Sequence, residues 1–228
     1  MEFLFDTAHI PEIKDYIQIY PFNGVTSNPT ILRAEGRVDF FDHFRQIREL
    51  IGPDKSLHIQ VLSPDYKGMM AEARLIQEAL DDQVYIKIPV NEPGLQAMHR
   101  LKADGANITA TAIYTKIQGM LAIQANADYI APYCNRMQNM DIDPWEVIEQ
   151  LSQAIDVYGY PTKILAASFK NIGQVTAAFK HGAHAVTLPP TMLRSALAMP
   201  AIQKAVDDFA ADWEHVYGQG TTITDLPK

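Results

Sequence analysis

A chain of 228 residues with 47% hydrophobic content has enough apolar material for one sizeable core and too little for two comfortable ones. With 19 Lys and Arg against 27 Asp and Glu, the net charge of -8 disfavours nucleic acid as a partner, while a few local cations at a helix N-terminus still suit a small phosphorylated ligand. The single cysteine, Cys134, excludes an internal disulfide framework and a thiolate metal cage, and no apolar run approaches the roughly 20 residues that span a bilayer. The opening Met-Glu-Phe-Leu-Phe-Asp has no basic stretch followed by an apolar core, so a soluble protein of the reducing cytoplasm is expected.

In chain order, short runs rich in β-branched and aromatic residues alternate with longer segments of helical period, the pattern of βαβ units and a parallel sheet. Strands are expected near Phe3–Asp6, Gly24–Ser27, Leu57–Leu62 and Val84–Val90, then Ile108–Tyr114, Tyr129–Tyr133, Lys163–Phe169 and Ala185–Leu188. Between them, Glu92–Ala103 stops at Gly105 and Trp145–Val157 stops at Gly159, each a helix followed by a glycine. About eight such repeats predict an α/β fold, a closed (β/α)8 barrel, with an open doubly wound sheet as the alternative. An additional helix, Ala201–Val216, carries Ile202, Val206, Phe209, Ala210, Trp213 and Val216 on one apolar stripe, suited to the outside of the barrel or to a neighbouring subunit. One domain is therefore expected over residues 1–217, with 218–228 as a tail.

In a barrel, alternate residues of a strand face the lumen and the others face the surrounding helices. In Val84-Tyr85-Ile86-Lys87-Ile88-Pro89-Val90 the apolar Val84, Ile86 and Ile88 share one face, which assigns Tyr85 and Lys87 to the lumen. The alternative is an edge strand whose lysine reaches water and discourages aggregation. The same parity gives His58 and Gln60 one face of the third strand, Thr109 and Thr111 one face of the fifth, and Tyr129, Ala131 and Tyr133 one face of the sixth. Asp6 and Thr26 come near the ends of the first two. Polar groups thus collect at the C-terminal ends of the strands, where barrel enzymes keep their chemistry. Taken singly, Gln60 and the threonines also suit satisfied lumen filling, and Asp6 a helix cap.

A lysine among apolar walls loses hydration of its charged form, so its pKa falls and its amine becomes a nucleophile toward a ketone. The resulting iminium accepts the electrons released when a neighbouring carbon–carbon bond breaks. Tyr133, Gln60 and Thr111 suit a proton shuttle acting through a held water, while Asp6, Thr26 and Asn28 suit the alignment of sugar hydroxyls. Ala166-Ala167-Ser168-Phe169-Lys170-Asn171, where a strand gives way to a helix, resembles a phosphate cradle in which Ser168 and Lys170 donate and Arg136 reaches across; a solvated Lys170 is the plainer alternative. No metal site is expected: the glycine between His181 and His184 disrupts a helical ligand face, and Asp141 and Asp143 lack the rest of a calcium loop. Cys134 reads as a small buried apolar residue.

Several segments are similar to the small fructose-6-phosphate aldolases and related short transaldolases. They are Leu4-Phe-Asp-Thr7, Gly24-Val-Thr-Ser-Asn-Pro29, Tyr85-Ile-Lys-Ile-Pro89, Ala131-Pro-Tyr-Cys-Asn-Arg136 and Ala166-Ala-Ser-Phe-Lys170, and the likeness runs from Met1 to about Val216. It implies a barrel without metal or other cofactor, with Lys87 as the Schiff-base former. It also implies a catalytic water organised by Tyr133, Gln60 and Thr111, and a substrate contacted by Asp6, Thr26, Asn28 and Ala131. Arg136, Ser168 and Lys170 are then expected to hold the phosphate. The resemblance further implies a cytoplasmic decamer of two five-membered rings, with the C-terminal helix packed on a neighbour. In the resembling transaldolases the third strand carries a glutamate and the sixth a phenylalanine. Gln60 and Tyr133 stand there in this chain and favour cleavage of fructose 6-phosphate to dihydroxyacetone and glyceraldehyde 3-phosphate over transfer of the three-carbon unit. Ser27 departs from the usual threonine, and the loop Met137–Asp143 is particular to this chain's subgroup. A phosphosugar-binding barrel without chemistry is the remaining alternative.

Overall fold

Eight short strands close on one another in sequence order, each parallel to its neighbours, in a computed structural model that describes residues 1–227. They are β1 (Glu2–Asp6), β2 (Gly24–Thr26), β3 (Ser56–Gln60), β4 (Tyr85–Pro89), β5 (Asn107–Ile113), β6 (Tyr129–Pro132), β7 (Lys163–Ala166) and β8 (Ala185–Leu188). The helices between and after them are α1 (Ile10–Tyr16), α2 (Pro29–Ala34), α3 (Phe40–Ile51), α4 (Tyr66–Ala79), α5 (Glu92–Ala103), α6 (Lys116–Gln124), α7 (Cys134–Gln138), α8 (Pro144–Tyr158), α9 (Ile172–Lys180), α10 (Pro190–Leu197) and α11 (Pro200–Tyr217). This is the expected (β/α)8 barrel with additional helices. β1 pairs with β8 as well as β2, so no sheet edge is left and the open doubly wound sheet is excluded.

Closure depends on how each strand hands over to its helix. The turns leaving the C-terminal ends of the strands finish on a side chain that accepts a backbone N–H of the next helix: Asn28 for α2, Asp65 for α4, Asn91 for α5, Thr115 for α6 and Asn171 for α9. Asp39 and Asp143 do the same for α3 and α8. Each such cap contributes about 1 kcal/mol and fixes where the helix begins, so the loops at that end of the barrel are short and determinate.

The floor of the lumen is filled by Leu4, Tyr129, Leu165 and Ala185, with Tyr85 packed against them. Below this layer Tyr129 donates to Glu2 Oε2 at 2.7 Å and Lys163 pairs with Glu2 Oε1 at 2.6 Å, which ties β1 to β6 and β7. The outward faces of the strands are apolar and buried, Val25, Leu57, Ile59, Ile86, Ile88 and Val186 among them. Gly24 marks a tight seam between β2 and β3: a Cβ there would lie 2.1 Å from Ser56 Oγ and 2.3 Å from its carbonyl oxygen.

The local geometry departs from the sequence expectation in three places. The register of β5 against β6 shifts between Ala110 and Ile113, with Ala112 at φ 58°; Ile113, beyond this bulge, is fully buried. Tyr133 ends a strand only in the sense of a single bridge to Ala167 and immediately precedes α7, so Met137 and Gln138 of the supposed loop are helical. Ser168, expected within a strand, has left-handed backbone at φ 63°.

Two compact units make up the chain, the first running from Met1 to Pro190 and containing the barrel, the second beginning at Thr191. In the second, α11 carries Ile202, Val206, Phe209 and Val216 exposed, and Trp213 stacks on Tyr217 with centroids 4.2 Å apart. A 3-10 turn, Ile223–Asp225, follows within the segment read as a tail. Among the described residues no helix is long and apolar enough to cross a membrane.

Candidate active site

Lys87 projects from the middle of β4 into the lumen and is only 4% exposed. The apolar Ile86 and Ile88 on either side face the helices, so strand parity leaves the lysine no other direction. Its Nζ donates to the carbonyl of Ser27 at 2.8 Å. Burial pulls its pKa below the ordinary lysine value, opposed by the charge of Asp6.

A cavity of about 200 Å³ opens above it at the C-terminal end of the barrel, lined by Asp6, Thr26, Asn28, Lys87, Ala131, Tyr133, Arg136, Ser168 and Lys170 together with Thr109, Leu165, Ala167, Phe169, Thr187 and Pro189. All of the expected substrate-lining residues therefore meet at one place. Gln60 and Thr111 do not line it. Thr111 is joined to it through Tyr133, whose hydroxyl lies 2.8 Å from Thr111 Oγ1. Gln60 is the register partner of Lys87 on β3, but it lines an adjacent, mainly apolar cavity together with Ser27, Asn28 and Phe44. There Gln60 Oε1 and Ser27 Oγ are both buried without a hydrogen-bond partner among the described residues.

The polar groups are held in defined orientations. Thr26 Oγ1 donates to Asp6 Oδ1 at 2.7 Å; having one proton, it must then accept from Thr187 Oγ1, 2.6 Å away. Burial raises the Asp6 carboxyl above its usual range, although Lys87, Thr26 and Arg136 favour its charged form. Asn28 Oδ1 is occupied by the N–H groups of Thr30 and Ile31 at 2.9 and 3.1 Å, so only its amide N–H donors remain for a ligand. Burial also raises the pKa of Tyr133, despite its bond to Thr111 and the nearby Arg136, which keeps the hydroxyl protonated. The Arg136 guanidinium lies 4.8 Å from the Tyr133 ring centroid and donates to Tyr114 Oη at 3.3 Å.

At the turn after β7, the left-handed backbone of Ser168 lets its carbonyl accept from Asn135 N, binding the turn to α7. The N–H of Lys170 is taken by Gln174 Oε1 at 2.6 Å, and Gln174 in turn donates to Asn135 and Gln138. A ligand anion at this turn therefore meets the exposed Lys170 and Arg136 side chains rather than the Lys170 backbone N–H.

The family described as Transaldolase/Fructose-6-phosphate aldolase matches residues 3–223. The chain belongs to this family. A protein of Streptococcus pneumoniae (strain ATCC 700669 / Spain 23F-1), described as "Probable fructose-6-phosphate aldolase", is 54% identical over 213 residues, which cover 93% of this chain and 96% of that protein.

For a member of the transaldolase/fructose-6-phosphate aldolase family, the pocket also contains residues that sequence reasoning did not single out. Thr187 shares the lumen parity of Ala185 on β8, a signal that was available in the sequence. Thr109 was given the right face but no part in the site, and its partner His58 was read only as a luminal residue. The pair His181 and His184 is engaged structurally: His181 bonds the Ala177 carbonyl at 2.8 Å, and His184 Nδ1 accepts the Ile164 N–H at 3.0 Å. Among the described residues no group of three or more His, Cys, Asp or Glu is arranged to hold a metal. Cys134 is fully buried, and burial pushes its thiol up to about 12.

Proposed function

We propose that this protein is a Schiff-base-forming aldolase that reversibly cleaves fructose 6-phosphate to dihydroxyacetone and glyceraldehyde 3-phosphate. The observation that carries this reading is the buried, pKa-depressed Lys87 inside a cavity ringed by hydrogen-bonding groups. The description of the Streptococcus pneumoniae relative as a probable fructose-6-phosphate aldolase supports the same substrate.

In this reading the Lys87 amine adds to the ketone at C2, and loss of water leaves an iminium. Asp6, oriented by Thr26, accepts the proton of the C4 hydroxyl as the C3–C4 bond breaks. The bonding electrons pass into the iminium to give an enamine, and the aldehyde departs. Tyr133, held by Thr111 and acting through a water that Gln60 helps to hold, returns a proton to C3. Hydrolysis then frees dihydroxyacetone and the amine. Asn28 donates to a substrate hydroxyl, Ala131 leaves room for the three-carbon unit, and Arg136, Ser168 and Lys170 take the phosphate. The protonated Tyr133 hydroxyl favours release over transfer, because it supplies the proton that ends the enamine's life.

The expected setting is a reducing cytoplasm and sugar-phosphate metabolism linked to the pentose phosphate pathway. The exposed apolar stripe of α11 supports self-association, for which the family resemblance implies a decamer of two pentameric rings. The test is product analysis with and without an acceptor. Fructose 6-phosphate alone should yield free dihydroxyacetone, whereas turnover only in the presence of erythrose 4-phosphate identifies a transaldolase instead.

A further inference from the structure

Directly beneath the reactive lysine, a buried imidazole is wired to a hydroxyl that lines the pocket. His58 on β3 and Thr109 on β5 are fully buried, and His58 Nδ1 lies 2.7 Å from Thr109 Oγ1. They come from alternate strands and meet inside the lumen, as side chains of one barrel layer do. Thr109 is the register partner of Lys87 and belongs to the lining of its cavity. The ring of His58 is clamped by Tyr85, stacked at 4.5 Å, and by the edge of Tyr129 at 5.3 Å. Its other nitrogen, Nε2, lies 2.9 Å from Ser56 Oγ, and Ser56 Oγ donates onward to the Asn23 carbonyl at 3.4 Å.

The direction of this chain follows from counting protons. Burial, with Lys87 and Arg48 nearby, holds His58 well below its usual pKa, so the ring is neutral and carries one N–H. Ser56 has one proton and spends it on Asn23, so it accepts from His58 Nε2. Nδ1 is then the bare nitrogen, and Thr109 must donate to it. The oxygen lone pairs of Thr109 are what remain for the cavity, and a hydroxyl that cannot donate there selects a ligand group that can.

We infer that His58 is a positioning residue, acting through Thr109, which presents a fixed hydrogen-bond acceptor to the terminal hydroxymethyl group of the ketone donor and so selects dihydroxyacetone over its deoxy analogue hydroxyacetone. This rests on the aldolase reading above. A donor lacking the hydroxyl leaves the Thr109 oxygen unpaired beside it, and hydrogen-bonding sites discriminate through that unmet acceptor.

The experiment measures the synthesis direction with glyceraldehyde 3-phosphate as acceptor, comparing KM and kcat for dihydroxyacetone and hydroxyacetone. Thr109→Val, nearly isosteric, should raise the dihydroxyacetone KM roughly tenfold, leave hydroxyacetone little changed and alter kcat less than KM. His58→Leu should shift the ratio the same way, and His58→Asn, whose amide oxygen reaches the Nδ1 position, should restore much of it. Donor ratios that stay at the wild-type value in Thr109→Val and His58→Leu would overturn the inference. A second measurement needs no turnover: ¹⁵N spectra of the unreacted wild-type protein at pH 7.5 should find His58 neutral with the proton on Nε2. An Nδ1–H tautomer or a charged ring would overturn it even if His58→Leu fails to fold. Absence of product from both donors in the wild-type protein, with the expected tautomer present, would instead count against the aldolase reading.

Discussion

At the scale of single residues, the site works by restricting what each polar atom is free to do. Thr26 has committed its proton to Asp6, the Asn28 oxygen is committed to the first turn of α2, and the Tyr133 hydroxyl, oriented by its bond to Thr111, is kept protonated by burial. Burial disfavours the charged state of Lys87, whose neutral amine is the proposed nucleophile. Tyr133→Phe removes the proposed proton donor while leaving the ring beneath Arg136. Lyase turnover of that variant should fall by about 100-fold, and transfer of the three-carbon unit to added erythrose 4-phosphate should persist. Coupled assay of free dihydroxyacetone checks this; unchanged lyase turnover would remove Tyr133 from the mechanism. Alternation along one strand was enough to place Lys87 in the lumen, because isoleucines on both sides leave a single outcome. The bond between His58 and Thr109 was not legible, because it joins two strands with a third between them and depends on closure of the barrel.

At the scale of elements, strands and caps do most of the positioning, and both leave marks in the sequence. The strand positions were readable from runs of branched and aromatic residues, and the helix starts from Asn, Asp and Thr at the strand exits. What escaped were features with no residue signature. Ala112 and Ser168 adopt left-handed backbone without being glycine, and α7 has only five residues, too few for a helical period to appear after the β6 strand. Gly24 is the opposite case, a glycine whose reason emerges only from the seam between β2 and β3. Gly24→Ala drives a Cβ into the backbone of Ser56 and should destabilise the barrel by about 3 kcal/mol. Gly159→Ala, at the left-handed end of α8 with open space around it, should cost about 1 kcal/mol. Urea unfolding midpoints of the two variants test the ordering, and an equal or reversed loss would mean that the seam is not close-packed.

At the scale of the whole molecule, an acidic chain is proposed to take a phosphorylated substrate, and the two facts are reconciled by distance. A net charge of -8 repels an anion only within the screened range of about 8 Å at physiological ionic strength, whereas Arg136 and Lys170 stand at the mouth of the site itself. The barrel gives those cations, the hydroxyls and the amine a common end by directing every strand the same way. The account as a whole depends on Lys87 acting as a covalent nucleophile. Borohydride reduction in the presence of dihydroxyacetone, followed by peptide mass spectrometry, tests that most directly. The expected result is a reduced adduct on Lys87, and none in Lys87→Met; a protein left unmodified, or an adduct confined to a different lysine, would contradict it.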